Sequence, residues 1–434
     1  MKVVMIGTGY VGLVSGVCFS EFGFDVTCVD VDQSKIDTLN KGEVPIFEPG
    51  LDTLLDRNTK AGRLTFTTNF DEAVSQADAI FIAVGTPSRR GDGEADLQYV
   101  WAAARQIANA AKPGVVIVTK STVVVGTNRK VAEIIREENP DLDFSIASNP
   151  EFLREGSALE DFMRPDRVVV GVEDKRAEEV MRNLYRPLFL RETPIVFTGL
   201  EDAELIKYAA NAFLAVKISF INEVANLCEQ VGGNVQQVAS AIGLDKRIGG
   251  KFLHAGPGFG GSCFPKDTRA FAATGEKFGA PQRLVEAVIE VNESRKANMA
   301  ERVLAKLGPD PKGKTVCILG VAFKPNTDDV RESPTLAIIP ILQEAGVIVR
   351  AHDPEGMDQA KPQLDNVIWC SDAYDAAEGA DALALVTEWN EYRALDMNRL
   401  HDAMNGDVVV DMRNVYQPDD MRAKGFDYSS IGRA

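Results

Sequence analysis

Residues 2–30 read KVVMIGTGYVGLVSGVCFSEFGFDVTCVD, and this stretch decides the fold of the first part of the chain. A short apolar strand at 2–6 runs into the glycine pattern G-x-G-x-x-G at 7–12. An apolar run of helical length follows at 13–22, and a second strand at 25–30 ends in Asp30. The glycines allow the backbone to approach a pyrophosphate, and the helix N-terminus supplies N–H donors. The order strand, tight turn, helix, strand therefore predicts a dinucleotide-binding α/β unit.

Asp30 indicates which dinucleotide is expected at this turn. It stands eighteen residues after Gly12, where a carboxylate accepts hydrogen bonds from a ribose diol. Its negative charge would repel a 2′-phosphate, so we expect NAD rather than NADP.

The alternation of strand and helix continues, with strands predicted at 64–68, 79–84, 115–120 and 145–148. Three of them end in small or polar residues, at 85–87 (GTP), 121–122 (ST) and 149–152 (NPEF). Ligands of a doubly wound sheet gather at the carboxyl ends of its strands. We therefore expect these segments to line one crevice beside the cofactor, although each alone also fits a simple turn.

A long helix is predicted at 201–230, because this stretch contains no proline or glycine. It would span about 45 Å. Between 208 and 221 it is apolar nearly all round, which indicates burial on most sides, between domains or against a partner subunit. Lys207 and Asn211 share one face of this helix. A plain structural alternative is that Lys207 pairs with Glu204 at the rim.

In a second glycine-rich stretch, GPGFGGSCFPKD at 256–267, Cys263 stands where the glycine loop ends and a predicted helix begins. A thiol at a helix N-terminus is expected to have a lowered pKa, and Lys266 adds a cation nearby. Asp267, four residues after the cysteine, shares its helical face. The alternative is that Cys263 is a small buried residue, as most free cysteines are.

The composition bounds the class of protein. The 434 residues suffice for two or three domains, and 45% hydrophobic with 26% charged residues is ordinary for a soluble globular protein. A net charge of −17 argues against nucleic acid or an anionic membrane as a general partner. Six irregularly spaced cysteines and three scattered histidines predict neither a disulfide framework nor a metal site. The start MKVVMIG resembles a strand rather than a signal peptide, so a cytoplasmic protein is expected.

A breaker-rich linker at 308–313 precedes a second α/β unit, with strands predicted at 315–319, 347–352, 381–386 and 408–411 and a helix at 333–345. This unit lacks the glycine fingerprint, so we do not expect it to bind a second dinucleotide. Lys324, Arg331 and Arg413 near its strand ends could hold another phosphate-bearing ligand. So could the exposed-looking basic cluster Lys246, Arg247 and Lys251, which equally fits a solvated charge run. The predicted fold class is α/β, with two Rossmann-like doubly wound sheets joined by a long central helix.

Seven motifs in order resemble one family across essentially the whole chain: GTGYVG (7–12), VGTPS (84–88), KST (120–122), NPEFLREGSA (149–158), KYAANAFLAVKISFINE (207–223), GFGGSCFPKD (258–267) and GVAFKPNTDDVRESP (320–334). This is the UDP-glucose/GDP-mannose dehydrogenase family. The resemblance implies an NAD-binding Rossmann domain at 1–199, a central helical and dimerisation domain with the cysteine loop at 200–308, and a UDP-sugar-binding Rossmann-like domain at 309–434.

The resemblance also implies an activity, the oxidation of a nucleotide sugar at C6 from alcohol to carboxylate with two NAD. The expected substrate is UDP-glucose, giving UDP-glucuronate, and GDP-mannose is the alternative. An aldehyde cannot lose a second hydride until a nucleophile adds to it, and Cys263 would form the thiohemiacetal and then the thioester. Two other readings remain open, a single-step dehydrogenase of the β-hydroxyacid type and a non-catalytic NAD-sensing protein.

Site residues follow from the matched motifs. Catalytic roles are implied for Cys263, Lys207, Asn211, Asp267, Thr122 and Glu151, with the base of the first oxidation open between Lys207, Glu151 and an ordered water. NAD contacts are implied for Gly7, Gly9, Tyr10, Val11, Gly12, Asp30, Lys35, Thr86, Thr122, Glu155 and Arg331. Substrate contacts are implied for Glu151, Phe152, Leu153, Glu155, Lys207, Asn211, Arg247, Phe252, His254, Gly258, Phe259, Gly260, Phe323, Lys324 and Arg413. In relatives the arginine matching Arg247 can come from the neighbouring subunit, which implies a homodimer.

Overall fold

The computed structural model describes residues 1–87, 89 and 95–433, so Ser88 of the VGTPS motif lies outside the described residues. The contacts divide the chain into two compact units. Unit one comprises Met1–Ala210 with Ala273–Gly279, and unit two comprises Asn211–Ala272 with Ala280–Ala434. The three-part division expected from the sequence remains a prediction.

The strands are β1 Lys2–Ile6, β2 Asp25–Val29, β3 Leu64–Thr67, β4 Ala79–Ile82, β5 Val115–Thr119, β6 Phe144–Ser148, β7 Val168–Val172, β8 Ile195–Thr198, β9 Thr315–Leu319, β10 Ile348–His352, β11 Val367–Trp369, β12 Ala382–Leu385, β13 Val408–Asp411 and β14 Asp427–Ser430. The helices are α1 Tyr10–Glu21, α2 Gln33–Asn40, α3 Leu51–Lys60, α4 Phe70–Ser75, α5 Gln98–Ala110, α6 Thr127–Glu138, α7 Ala158–Met163, α8 Lys175–Leu184, α9 Leu200–Val231, α10 Val235–Gly243, α11 Phe264–Lys277, α12 Arg283–Leu307, α13 Pro334–Glu344, α14 Met357–Ala360, α15 Ala373–Ala377, α16 Asn390–Arg393, α17 Met397–Ala403 and α18 Pro418–Ala423. A 3₁₀ helix covers Arg186–Arg191.

Unit one is built on an eight-stranded sheet in the order β3-β2-β1-β4-β5-β6-β7-β8. Neighbouring strands run parallel except for the antiparallel pair β6 and β7. Side chains alternate between the two faces of a strand. Val3 and Met5 of β1 therefore enter one apolar core, and Val4 and Ile6 enter another. Burial on both faces is what a parallel sheet requires.

Unit two contains a parallel six-stranded sheet in the order β11-β10-β9-β12-β13-β14. It too is buried on both faces, because Val316 and Ile318 of β9 lie in one core and Cys317 and Leu319 in the other. The two doubly wound sheets predicted from the sequence are thus confirmed. The predicted strands are present, with their boundaries within one or two residues.

The turn after β9 resembles the glycine turn after β1 in its first residues only. Gly320 has φ +98°, and the N–H of Val321 donates to Asp353 Oδ2 at the end of β10 (2.7 Å). The next helix, α13, begins only at Pro334, whereas α1 in unit one begins at Tyr10, three residues after Gly7. The second sheet therefore keeps the turn but not the adjacent helix N-terminus that would bind a pyrophosphate.

The predicted central helix is confirmed as α9, one residue longer at each end than expected. Its burial is less complete than the sequence indicated. Tyr208 and Ile221 are buried, whereas Phe213 and Phe220 are 64% and 51% exposed in the single chain. Within the described residues, no helix is long and apolar enough to cross a lipid bilayer.

Candidate active site

The glycine turn after β1 has open space beside its backbone at one position, Gly9. Gly7 has φ +100°, and a Cβ there would lie 2.7 Å from the carbonyl oxygen of Ala83. A Cβ on Gly12 would lie 2.0 Å from the carbonyl oxygen of Gly7. A Cβ on Gly9 would meet no heavy atom within 4 Å. Gly7 and Gly12 are thus needed to close the turn onto the sheet, and Gly9 keeps open the space that a pyrophosphate would fill.

Asp30, at the end of β2, is held in place by this turn. Its Oδ2 accepts hydrogen bonds from the N–H and hydroxyl of Thr8 (both 2.7 Å), and its Oδ1 accepts the N–H of Asp32 (3.0 Å). Partial burial alone would raise the pKa of Asp30. The bonds from Thr8 and Asp32 and the charge of Lys35 outweigh it and lower the pKa below its ordinary value. The carboxylate is ionised at neutral pH and keeps lone pairs for a ribose diol, so the residues of this turn fit NAD.

Sequence reasoning missed Glu48, which links the glycine turn to the segment after β6. Its carboxylate is 7% exposed and accepts the N–H groups of Gly156 (2.7 Å), Ala158 (2.7 Å) and Leu159 (3.3 Å). It also accepts the hydroxyl of Tyr10, whose pKa is raised by burial and by this carboxylate. Glu48 therefore satisfies the N-terminus of α7 and fixes the loop at 149–157. Its loop sequence, IFEPG, carries no signal of that role.

Two of the predicted strand ends meet directly. The hydroxyl of Thr86, after β4, donates to the carbonyl of Thr122, after β5 (2.9 Å). The hydroxyl of Ser121 donates to the carbonyl of Val84 (2.7 Å). The GTP and ST segments thus form one connected rim at the carboxyl edge of the first sheet.

Lys207 of α9 pairs with Glu151, not with Glu204. The distance from Lys207 Nζ to Glu151 Oε1 is 3.0 Å, and both side chains are at most 5% exposed. The rim pair considered from the sequence is therefore wrong. Glu204 instead accepts the N–H of Gly126 (2.6 Å) and of Asn128 (2.8 Å) at the start of α6, where a carboxylate is favoured.

The residues after Glu151 form an aromatic and polar wall. The guanidinium of Arg167 lies 3.6 Å from the centroid of the Phe152 ring, and Lys207 Nζ lies 5.4 Å from it. The N–H of Leu153 donates to Glu151 Oε2, so the loop orients the carboxylate. Glu155 is half-buried in the same loop.

In unit two, Cys263 is a half-buried thiol directly before α11. Its carbonyl accepts the N–H of Asp267 (2.8 Å), the first bond of that helix, and its Sγ lies 3.5 Å from Ser262 Oγ. A helix N-terminus favours a negatively charged group such as a thiolate. The other five cysteines are buried, and burial raises the pKa of Cys28 and Cys317. Cys263 is therefore the cysteine suited to nucleophilic chemistry.

Asp267, in the first turn of α11, lies at the centre of a group of polar side chains. It is 1% exposed, and it accepts Asn211 Nδ2 on Oδ2 (2.6 Å) and Lys266 Nζ on Oδ1 (2.7 Å). The sequence placed Lys266 near the thiol as a cation, and in the structure its ammonium forms an ion pair with Asp267. Asn211 is one turn along α9 from Lys207, so their side chains project from the same side of that helix.

Three buried polar side chains that sequence reasoning missed hold the glycine loop at 256–261. Asn222 of α9 accepts the N–H of Gly256 (2.9 Å). Asn292 of α12 exchanges two bonds with the backbone of Phe259 (2.8 and 3.0 Å). Arg295 Nε donates to the carbonyl of Gly256 (2.9 Å). Polar residues on otherwise buried helix faces were the signal that could have revealed them.

The same loop lies against the turn after β9. A Cβ on Gly260 would lie 2.4 Å from the carbonyl oxygen of Glu332, and one on Gly261 would lie 2.7 Å from the ring of Phe323. Lys324 Nζ lies 5.3 Å from the centroid of that ring. Arg413, after β13, donates to the carbonyl of Phe323 (3.1 Å). Gly260, Phe323, Lys324 and Arg413 are thus neighbours, as a shared binding surface requires.

The other predicted contact residues of unit two lie in several of its loops. Arg247 pairs with Asp245 (2.5 Å) and its side chain is 90% exposed. Phe252 has φ +65°, and His254 is exposed. Arg331 forms an ion pair with Asp329 (2.8 Å). Gly258, with φ +115°, is packed so that a Cβ would lie 3.0 Å from Asn292 Oδ1. Within the described residues, no group of three or more His, Cys, Asp or Glu is arranged to hold a metal ion.

Three family models match successive parts of the chain. Residues 1–189 match the NAD binding domain of the UDP-glucose/GDP-mannose dehydrogenase family, residues 201–294 its central domain and residues 317–418 its UDP binding domain. The chain belongs to the UDP-glucose/GDP-mannose dehydrogenase family. As a member it is an oxidoreductase with NAD as cofactor and a UDP-sugar as substrate class, which confirms the resemblance seen in the motifs.

Relatives in this family match over at least 93% of their length. The chain is 58% identical over 435 residues to a UDP-glucose 6-dehydrogenase of Rhizobium meliloti (strain 1021), with all of both chains covered. It is 48% identical to UDP-glucose 6-dehydrogenase TuaD of Bacillus subtilis (strain 168), covering all of this chain and 93% of that one. Among solved structures, a UDP-glucose dehydrogenase from Pyrobaculum islandicum superposes with a TM-score of 0.90 at 43% identity, covering 96% of this chain and 95% of that one.

Proposed function

We propose that this chain is a UDP-glucose 6-dehydrogenase, oxidising UDP-glucose to UDP-glucuronate with two NAD. The observation that carries the proposal is the half-buried thiol of Cys263 at the start of α11, beside a glycine loop in a chain of this family. A single two-electron oxidation of an alcohol needs no nucleophile. A four-electron oxidation at one carbon does, because a nucleophile must add to the aldehyde carbon before its remaining hydrogen can leave as hydride. The names of the relatives support UDP-glucose rather than GDP-mannose.

The residues that would hold NAD are the turn at 7–12 with Asp30 on the ribose, supported by Lys35, Thr86, Thr122, Glu155 and Arg331. When bound, NAD accepts one hydride from the sugar C6 in each of two oxidations. Every other step belongs to side chains of this chain. Gly9 leaves the backbone open to the pyrophosphate, and Asp30 selects against a 2′-phosphate.

In the first oxidation the C6 hydroxyl must lose its proton as the hydride leaves. The ammonium of Lys207 stabilises the negative charge that develops on that oxygen. Glu151, 3.0 Å from Lys207 Nζ, keeps the lysine oriented. The proton passes to Glu151, to an ordered water, or to Lys207 in its neutral amine form, which then becomes the stabilising ammonium.

In the second oxidation the thiolate of Cys263 adds to the aldehyde carbon, and the carbonyl oxygen becomes the alkoxide of a thiohemiacetal. Lys207 and the amide of Asn211 stabilise that oxygen, and Asp267 orients the amide through its 2.6 Å bond. Loss of the second hydride leaves a thioester on Cys263. Glu151 takes a proton from water, positioned with Thr122, and hydrolysis releases the carboxylate and restores the thiol.

The substrate contacts proposed for the sugar and the UDP group are those of the loop at 151–155, the segment 252–260, Phe323, Lys324 and Arg413. Lys324 and Arg413 supply positive charge for a diphosphate in a chain whose net charge is −17. Phe323 offers a ring beside them. Arg247, which is exposed in the single chain, would complete the site of a neighbouring subunit.

A homodimer assembled along α9 is part of the proposal. Phe213, Phe220 and Leu227 are spaced by seven residues and are 64%, 51% and 62% exposed. Side chains seven apart on a helix lie along one face. Such a stripe of large apolar side chains fits burial against a second copy. A cytoplasmic location is likewise part of the proposal.

The decisive experiment counts NADH per nucleotide sugar consumed. The proposal expects two NADH per UDP-glucose, little turnover of GDP-mannose, and loss of net turnover in Cys263→Ser. Cys370→Ala, at a buried cysteine outside the proposed site, is the matched control and should keep both NADH. One NADH per sugar with an active Cys263→Ser variant would instead support a single-step dehydrogenase. No NADH from any nucleotide sugar would support an NAD-sensing protein.

A Glu151→Gln variant tests the covalent step directly. Because hydrolysis would be slowed, mass spectrometry of the protein mixed with UDP-glucose and NAD should find a sugar adduct on the peptide containing Cys263. An unmodified peptide in a variant that still releases NADH would refute the thioester.

A further inference from the structure

Glu332, near the end of the turn after β9 (residues 320–333), carries a carboxylate that the proposed mechanism does not use. Its φ is +54°, in the left-handed region that glycine adopts without strain and that a side chain disfavours. Backbone strain of this kind persists only where the surrounding contacts hold the residue in place. The contacts of Glu332 therefore indicate what its carboxylate does.

The carboxylate of Glu332 lies among three charged side chains from two helices. Arg269 of α11 donates to both of its oxygens, from Nη1 to Oε1 (2.8 Å) and from Nη2 to Oε2 (3.3 Å). Lys296 of α12, which is buried, has its Nζ 3.6 Å from Oε2. Glu293, one turn before Lys296, pairs with that lysine (3.1 Å) and lies 3.5 Å from Arg269. Two carboxylates and two cations thus join the turn to α11 and α12, and the two-point pair with Arg269 fixes geometry as well as charge.

The backbone beside this carboxylate is attached to the glycine loop. The carbonyl of Arg331 accepts the N–H of Gly261 (2.8 Å). The carbonyl oxygen of Glu332 lies so close to Gly260 that a Cβ there would be 2.4 Å away. These two glycines stand two and three residues before Cys263.

Cys263 is therefore flanked by two attachments to one short segment of the turn. The first is the glycine loop directly before the thiol. The second is Arg269, six residues after Cys263 in the helix that follows it. The carbonyl of Cys263 accepts the N–H of Asp267, so the thiol residue is bonded to the first turn of the same helix. The segment at 331–332 thus holds the chain on both sides of the sulfur.

The same turn carries residues proposed to bind the nucleotide. The N–H of Phe323 donates to the carbonyl of Asp329 (3.1 Å), and the N–H of Arg331 donates to the carboxylate of Asp329 (2.9 Å). Phe323 is thereby connected through Asp329 to the segment that holds the thiol. The ring of Phe323 also lies against Gly261.

We propose that Glu332 is a positioning residue that fixes the Cys263 thiol relative to a nucleotide sugar bound at the turn after β9. Thiolate addition requires sulfur and carbon to approach to about 3–3.5 Å, and a misplacement of about 1 Å can slow a reaction about a hundredfold. In the proposed function the turn binds the nucleotide and the glycine loop leads to the sulfur, so the contacts between them set this separation. The inference rests on that proposed function.

The test is a double-mutant cycle of Glu332→Gln and Arg269→Gln, because each removes the ion pair and keeps a side chain of polar character. With the full chain in excess over UDP-glucose and with NAD present, stopped-flow absorbance follows the first and the second NADH of a single turnover. The second phase should be at least about tenfold slower in each variant, because thiolate addition precedes it, and the first should change less than about threefold. The double variant should match the slower single variant within about twofold, because both substitutions remove one interaction.

Two further variants separate the carboxylate from its backbone and from ion pairs in general. Glu332→Gly relieves the left-handed strain and removes the carboxylate, so its thermal midpoint should be close to that of wild type while its second phase is slow. Lys306→Gln breaks a comparably exposed pair in unit two, Lys306 with Asp427 (2.6 Å), which lies outside the proposed site. It should change neither phase.

A second phase within about threefold of wild type in folded Glu332→Gln or Arg269→Gln would overturn the inference, since misplacement of the sulfur should cost more than that. Equal slowing of both phases would also overturn it, because a general loss of structure would then be acting. A fast second phase in Glu332→Gly would assign the role to the backbone and not to the carboxylate. If Glu332→Gln does not fold, Arg269→Gln decides by the same criteria.

The NADH count of the wild type separates this inference from the proposed function. Two NADH per UDP-glucose, with an unaffected second phase in the variants, would refute the role of Glu332 and leave the proposed function standing. One NADH per sugar from the wild type would refute the proposed function itself.

Discussion

The glycine turn allows the contributions of folding and cofactor binding to be separated by two matched substitutions, Gly12→Ala and Gly9→Ala. Each adds one methyl group to the same turn, but the surroundings of the two positions differ. A Cβ on Gly12 would lie 2.0 Å from the carbonyl oxygen of Gly7, whereas one on Gly9 would have no heavy atom within 4 Å. Gly9 also has φ −67°, which alanine adopts without strain.

The magnitudes follow from these distances. To bring the Gly12 contact to about 3 Å, the turn must open by roughly 1 Å against backbone atoms, and overpacking of this kind costs about 1–3 kcal/mol. The higher helix propensity of alanine recovers up to about 1 kcal/mol. A net loss of roughly 2 kcal/mol lowers the unfolding midpoint of a large domain by about 4–8 °C. For Gly9→Ala we expect a stability change within about 0.5 kcal/mol.

The affinity for NAD should be reduced by Gly9→Ala, the substitution that is expected to change stability least. The methyl group of Gly9→Ala occupies the space proposed for the pyrophosphate, so the Kd for NAD should rise at least tenfold, or about 1.4 kcal/mol. The assays are thermal unfolding followed by circular dichroism and NAD titration calorimetry, both on the full chain. If Gly9→Ala binds NAD within twofold of wild type, the assignment of that open backbone to the cofactor is refuted. If Gly12→Ala unfolds at the wild-type temperature, the steric argument fails.

Three further predictions concern other parts of the molecule. Asp30→Asn removes the charge that opposes a 2′-phosphate, so the preference for NAD over NADP should fall at least tenfold (about 1.4 kcal/mol) in competing titrations; an unchanged ratio would mean that another group selects the cofactor. Glu48→Gln turns one acceptor toward Gly156 into a donor and should lower the free energy of unfolding by about 1–3 kcal/mol in urea; a change below about 0.5 kcal/mol would contradict the role of Glu48 as a clamp. Phe220→Glu should shift the chain toward monomer in analytical ultracentrifugation, while Leu190→Glu, at an equally apolar exposed site, should not; identical sedimentation of both variants would argue against assembly along α9.

Much of the fold could be predicted because its signals are local. The glycine pattern, the apolar strands and the breaker-free stretch that became α9 each identify their own structure within a few residues. The strand β1 and the strand β13 were predicted at their observed limits. The strands β7, β8, β11 and β14 were not predicted. The last three are edge strands of three or four residues, in which periodicity is hard to recognise, and β7 is a short apolar run without alternation.

Candidate site residues could be proposed from the sequence where the residue type itself indicates the chemistry. Their hydrogen-bond and ion-pair partners could not, where these lie far away in the sequence. Cys263 could be found because a thiol at a helix start is unusual. The partner of Lys207 could not, because the sequence offers Glu204 one turn away, and only the folded sheet brings Glu151 within 3.0 Å. The role of Glu48 could not be predicted for the same reason, because the N–H groups that it accepts, in Gly156 and Ala158, are more than one hundred residues away in the chain.

The turn after β9 bears on how other sequences should be interpreted. Asp353 accepts hydrogen bonds from the N–H groups of Val321 and Ala322, as Asp30 does from that of Thr8. The helix that follows this second turn begins only at Pro334, too far along the chain for its N-terminus to bind a phosphate at the turn. An acidic residue at the end of a second strand can thus hold the preceding turn without a dinucleotide. In an unfamiliar chain, the distance from such a turn to the following helix should decide whether a dinucleotide is inferred.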